Sequence, residues 1–342
     1  MIVLTALVGS SLAQARGPRP TDLGASSLPI GAKGVVWYST WDTAKAEAKR
    51  SNKPIFFMAA AHQCGSVSGT FWPGYMGTEI SLFSQKSFIE ASEKFVCVRL
   101  GTYESLEHQT MIRGLLNGRM ENTAFVVFAP DGKTKLSRSG RSPDHAFGKD
   151  VEGGMEKLAD KYPDKARNKT AVLSDFHSFK QALNVASADQ RLLVLTVASE
   201  KSKKSVNKKV QAVFSDEEMK GRFFYDTVNK GDEKWAENIK GTTKKSGIFI
   251  IRPGQFGQDG EVMKELSLKS SSAQIKKALT AANAEYAKTE KRTVSSEHVS
   301  EGTREGVDFE NNVAQGEDRD GDGKIDPKPE RGQRGGGRPP RR

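Results

Sequence analysis

Cysteine is nearly absent from this chain: Cys64 and Cys97 are the two in 342 residues. Two thiols exclude the disulfide framework that holds many small secreted domains together, so stability has to come from packed cores. Long apolar runs are missing as well. The N-terminal apolar segment, residues 2–12, is too short to cross a bilayer as a permanent anchor, and no other run approaches that length, so no membrane span is expected. Histidine is scarce and scattered, at His62, His108, His145, His177 and His298. No pair shows metal-ligand spacing, which predicts ordinary surface or core histidines. Acidic and basic residues are interspersed, so the net charge of +11 reads as a solvated surface rather than a nucleic-acid patch, and a nucleic-acid partner is not expected.

What is present begins with an export signal. The apolar residues 2–12 are followed by Ala13-Gln14-Ala15. An apolar segment before Ala-x-Ala predicts a secretory signal cleaved after Ala15, and hence a periplasmic or secreted protein. A linker containing Pro and Gly, residues 16–33, comes next. Patterned sequence then runs in two passes. The first, residues 34–150, predicts an extended entry at 35–39, a helix at 40–52 and a strand from Pro54 to Met58. A helix at 82–94 with Ser84 as its cap, a strand at 95–100 and a helix at 104–116 follow. A hairpin at 123–140 turns at Pro130-Asp131-Gly132. The second pass, residues 171–288, predicts a helix at 174–186 capped by Ser174 and a strand at 191–199. A helix starting at 213–222 with Ser215 as cap, a strand at 223–228, a Gly-rich hairpin at 246–266 and an amphipathic helix at 271–288 complete it. Strands alternating with helices predict an α/β class with partly parallel sheets. Leu82-Phe83-Ser84 resembles Val213-Phe214-Ser215, and Phe125–Phe128 resembles Ile248–Ile251, so the two passes read as a tandem duplication hinged at 162–170.

The first pass resembles the thioredoxin superfamily, in the form found on exported bacterial proteins. "WDTAKAEAKRSNKPIFFMAAAHQC" is similar to the family's helix, Lys-Pro, strand and nucleophilic cysteine. "FSQKSFIEASEKFVCVRL" is similar to the next helix and strand, and "NTAFVVFAPDGK" to the hairpin after its cis-proline. The second pass is similar in element order alone. The resemblance implies two tandem thioredoxin-like three-layer sandwiches. It implies Cys64 as attacking thiol at a helix N-terminus, with His62 beside it. It also places Val67 at the resolving-cysteine position and Thr123 at the cis-proline position. In the second pass the matching stretch, "SEKSKKS" at 199–205, has no sulfur. Cys97, flanked by Val96 and Val98, reads as a buried small hydrophobe rather than a partner for Cys64.

The last segment, residues 289–342, is acidic, then Arg- and Gly-rich, and reads as a disordered tail. Inside it "DRDGDGKID" resembles an EF-hand-like calcium loop. Asp318, Asp320 and Asp322 alternate before Gly323, Lys324 offers its carbonyl, and Asp326 takes the ninth position. Pro329 stands where the bidentate Glu belongs, which limits any Ca2+ site to weak affinity. Three functional readings follow. One is a non-catalytic binding or structural scaffold for a protein partner. Another is a monothiol thiol-disulfide oxidoreductase acting on a thiol substrate through Cys64. The last is a calcium-dependent interaction protein working through residues 318–326.

Overall fold

The computed structural model describes residues 28–60, 82–102, 104–121, 123–163 and 170–290. Cys64, His62, Val67, the export signal, the calcium-like loop and the tail lie outside the described residues.

Two mixed sheets, each between helical layers, form the expected pair of α/β sandwiches. In the first unit β1 (Trp37–Tyr38), β2 (Ile55–Ala60), β3 (Val96–Gly101) and β4 (Thr123–Phe128) assemble in the order β1-β3-β2-β4. The first three are parallel and β4 runs antiparallel to β2. Every residue of β2 is buried, because a central strand is covered on both faces and reads as a continuous apolar run. Ile55, Phe57 and Val98 face α1 (Trp41–Ser51) and α3 (Leu106–Leu115). Phe56, Met58 and Cys97 face the other way, toward α2 (Lys86–Ser92), α4 (Pro143–Phe147) and α5 (Val151–Ala159).

The second unit repeats the three central strands of this sheet, lacks a counterpart of β1 and adds two strands beyond the antiparallel one. Its sheet has the order β6-β5-β8-β9-β7, built from β5 (Leu192–Ala198), β6 (Phe223–Asn229), β7 (Ile239–Lys240), β8 (Gly247–Pro253) and β9 (Gly260–Leu266). One face packs on α7 (Glu200–Phe214) and α8 (Ser272–Thr289), the other on α6 (Phe179–Ala188). The α6-side core is continuous with the core under α2 and α5 of the first unit, so the two units share one apolar cluster.

Several local expectations are corrected. Ser84 caps nothing: it lies in a 3-10 turn, Leu82–Ser84, and Gln85 occupies the cap position of α2. Ser174 lies outside any helix or strand, and Ser178 is the cap of α6, accepting from the Gln181 N–H. The helix expected after Ser215 lies before it instead. Ser215 ends α7, so Leu82–Ser84 and 213–215 are not equivalent positions. The return arm of the hairpin after β4 is irregular, held by isolated bridges Phe128 to Lys135 and Phe125 to Gly140. The pairing of β4 with β2 does match that of β8 with β5, as the likeness of 125–128 to 248–251 implies. Helices α4 and α5, and the body of α7 before residue 213, were not foreseen in the sequence.

Candidate functional site

The strand that leads toward Cys64 ends at Ala60, and Thr123 lies directly across from Ala60 in the β2–β4 pair. Thr123 is buried, and its hydroxyl donates to the Arg141 carbonyl at 3.3 Å. Thr123 therefore heads β4 beside the end of β2. His62 and Cys64 follow β2 by two and four residues in the chain, outside the described residues.

Cys97 behaves as its flanking valines predict. It sits mid-strand with Trp37 opposite on one side and Phe56 on the other. It is 2% exposed, and burial pushes its thiol far above the ordinary range. A thiol that cannot ionise is neither nucleophile nor leaving group.

In the second unit the matching strand end carries hydroxyls. β5 stops at Ala198, Ser199 takes the N-cap position of α7, and Ser202 follows three residues later. That is the spacing of a Cys-x-x-Cys pair, and the two Oγ atoms lie 2.8 Å apart in a hydrogen bond.

Between the units lies a junction that the sequence did not disclose. A cleft of about 520 Å3 opens between the edge strands β1 and β6, lined by Trp37, Tyr38, Phe223 and Tyr225 among others. The connecting segment crosses it. The Tyr38 hydroxyl donates to the Val172 carbonyl at 3.0 Å, the Ser39 N–H to Ser174 Oγ at 3.1 Å, and the Val172 N–H to Glu47 at 2.9 Å. The N-terminal lead-in is tied across as well: the Gly34 N–H donates to the Gly221 carbonyl, and the Arg191 guanidinium donates to the Val35 carbonyl.

Two charged clusters lie where the units meet. In the first, Asp189 at the end of α6 sits between Arg99 of β3 and Arg191 just before β5, at 3.7 Å from each. All three are buried, and burial, opposed by Asp189, pushes the Arg99 guanidinium down to about 10. In the second, Glu104 and His108 come from the start of α3 in the first unit, and His177 from the approach to α6 in the second. His177 Nε2 is 3.0 Å from Glu104 Oε1, and His108 Nδ1 is 3.6 Å from Glu104 Oε2. The three candidate ligand atoms lie within 4.8 Å of one another. Two of the histidines expected to be scattered surface or core residues, His108 and His177, are thus brought beside one carboxylate by the fold. The Glu104-to-His108 spacing of four was visible in the sequence. The arrival of His177, sixty-nine residues after His108, was not.

Among the described residues no helix is long and apolar enough to cross a membrane. No protein-family model and no curated protein matches the chain. Among solved structures, human ERp44 in its form I is 10% identical, over 73% of this chain and 56% of that one, at a TM-score of 0.23. The zinc-bound form of human ERp44 is 9% identical, over 72% of this chain and 57% of that one, at the same TM-score. This chain thus spans little more than half the length of the ERp44 chains it matches.

Proposed function

We propose that this chain is an exported thioredoxin-like protein that serves as a binding scaffold for a protein partner rather than as a self-sufficient disulfide-exchange enzyme. The paired hydroxyls of Ser199 and Ser202 carry this reading: the second unit keeps the strand end and helix start of a redox site but has oxygen where sulfur chemistry would act. The first unit is depleted in a different way. Val67 stands at the position of a resolving thiol, and Cys97 is buried and protonated. A mixed disulfide on Cys64 would have no internal thiol to release it, and turnover would need an external one. The segment of residues 2–12 with Ala13-Gln14-Ala15 supports export.

A monothiol role for Cys64 is the second reading, favoured by the position of Thr123 across from the end of β2. A turbidity assay of insulin disulfide reduction separates the two. On the scaffold reading the wild-type chain reduces insulin at the background rate, and Val67→Cys raises that rate by restoring a resolving sulfur. Wild-type reduction well above background, abolished by Cys64→Ser, would overturn the scaffold reading in favour of the monothiol.

A further inference from the structure

We propose that Glu104, His108 and His177 form a binding site for a borderline divalent transition metal of the zinc class, which bridges the two units. Two imidazoles and one carboxylate are the donor set such an ion takes, whereas calcium and magnesium prefer oxygen alone. Three protein ligands leave a fourth position for water, and His177, with its side chain 51% exposed, gives the site an opening to solvent.

The second observation is Glu104 itself. Its side chain is 7% exposed, and Oε1 makes no hydrogen bond although it is buried. A buried carboxylate oxygen that faces the His177 imidazole at 3.0 Å without a formed hydrogen bond carries a desolvation cost, which a bound cation would relieve. The other oxygen is fixed, since Oε2 accepts from the Gly101 N–H at 3.2 Å. The carboxylate is thereby oriented with Oε1 toward His177.

The distances suit a small adjustment. Ligand atoms about 2.0–2.1 Å from a tetrahedral zinc lie roughly 3.4 Å from one another. His177 Nε2 lies 3.0 Å from Glu104 Oε1 and His108 Nδ1 3.6 Å from Glu104 Oε2, and with one donor atom taken from each residue all three lie within 4.8 Å of one another. The half-exposed His177 ring is the ligand with room to move in to that spacing. His108 is placed by the cap of α3, where Ser105 Oγ accepts from its N–H at 3.1 Å. Its Nδ1 also lies 3.2 Å from the Gly101 carbonyl. Metal binding would exchange that contact for a coordinate bond and release a proton wherever Nδ1 carries one. Because α3 belongs to one unit and His177 to the other, the ion would cross-link them. Binding energy would then appear as stability of the junction. This inference does not depend on the scaffold reading.

The test is calorimetric titration of zinc chloride into the full chain carrying Cys64→Ser, so that the thiol contributes no ligand. One equivalent should bind, and His177→Ala or Glu104→Gln should weaken it by about tenfold or more. Zinc should raise the melting temperature of the parent and not of His177→Ala, and millimolar calcium should not compete. Cobalt should give visible absorption of tetrahedral intensity in the parent, lost in both variants. His177 is half exposed, so its replacement leaves the core intact, and zinc-free melting of the variant checks this. Unchanged zinc affinity in both variants would overturn the site, as would a parent that binds no zinc at millimolar concentration.

Discussion

Asp226 is a carboxyl group held almost out of reach of water. Alternation along β6 puts it on the same face as Phe224 and Val228, in the core shared by the two units. It is 3% exposed, and burial pushes it up to about 7, opposed by hydrogen bonds from the backbone N–H groups of Thr227 and Phe176. Asp175 raises it further and Lys203 lowers it. A carboxyl raised in the folded state is protonated there while the unfolded chain ionises. Its contribution to stability is therefore complete below about pH 4, declines as pH rises to about 7, and stays lost above that. The decline amounts to at most roughly 4 kcal/mol for a shift of this size. Asp226→Asn keeps the acceptor for the Phe176 N–H and removes the ionisation. With chelator present, the variant should gain on the wild type steadily between pH 4 and 7, by urea unfolding monitored by circular dichroism. A constant difference across that range would show that Asp226 is not the titrating group. Residue by residue, the sequence revealed apolar burial better than polar partnership. Val96 and Val98 announced that Cys97 is buried, whereas nothing near Asp226 announced the Phe176 N–H fifty residues away that meets it.

At the scale of elements, local chemistry was legible wherever it agreed with the fold. Ser271 and Gln274 form a complete capping box at the start of α8, and Ile275, Leu279 and Ala282 lie buried along one face as their spacing predicts. The missed elements were missed for different reasons. In α7, Val206, Val210 and Val213 recur at helical spacing as a buried stripe within a lysine-rich run that itself favours helix, so the signal was present in the sequence and went unread. In α5, Gly153 and Gly154 sit side by side, and adjacent glycines normally argue against a helix. The packing supplies the reason. A Cβ at Gly154 would collide with the Phe147 carbonyl at the end of α4, so the close approach of two short helices requires glycine there. Gly114 in α3 has open space around its would-be Cβ. The same substitution should therefore have opposite signs at the two positions. Gly114→Ala should stabilise by up to about 1 kcal/mol through helix propensity. Gly154→Ala should destabilise by about 1–3 kcal/mol through overpacking, despite the same propensity gain. Denaturant midpoints at constant slope would read both, and a stabilising Gly154→Ala would sink the packing argument.

At the scale of the whole molecule, the two α/β sheets were legible and the contacts between them were not. The repeated order of elements announced two sandwiches, because periodicity is a local property. Arg99, Asp189, Glu104 and His177 come from separate elements, and sequence pattern gave no reason to bring them together. The Arg99–Asp189–Arg191 cluster makes the consequence testable. One carboxylate faces two guanidinium groups, all buried, so the cluster holds an excess of positive charge. Nη1 and Nη2 of Arg99 are buried without a hydrogen bond, although the guanidinium also stacks on Trp37 at 5.5 Å. Removing the anion leaves two buried cations facing each other across the junction, while removing Arg99 leaves a balanced pair of Asp189 with Arg191. Breaking a buried ion pair from one side costs about 3–5 kcal/mol, whereas replacing a buried charge that lacks full compensation with an apolar side chain of similar length is often neutral or favourable. Asp189→Ala should therefore destabilise by roughly 3–5 kcal/mol, and Arg99→Met should be close to neutral or stabilising. Because one apolar cluster runs through both units, each variant should still unfold in a single transition, read by calorimetry. Should Arg99→Met cost as much as Asp189→Ala, the three charges would act as one network in which Arg99 is indispensable. A separate early transition in Asp189→Ala would show instead that the junction, rather than the shared core, couples the two units.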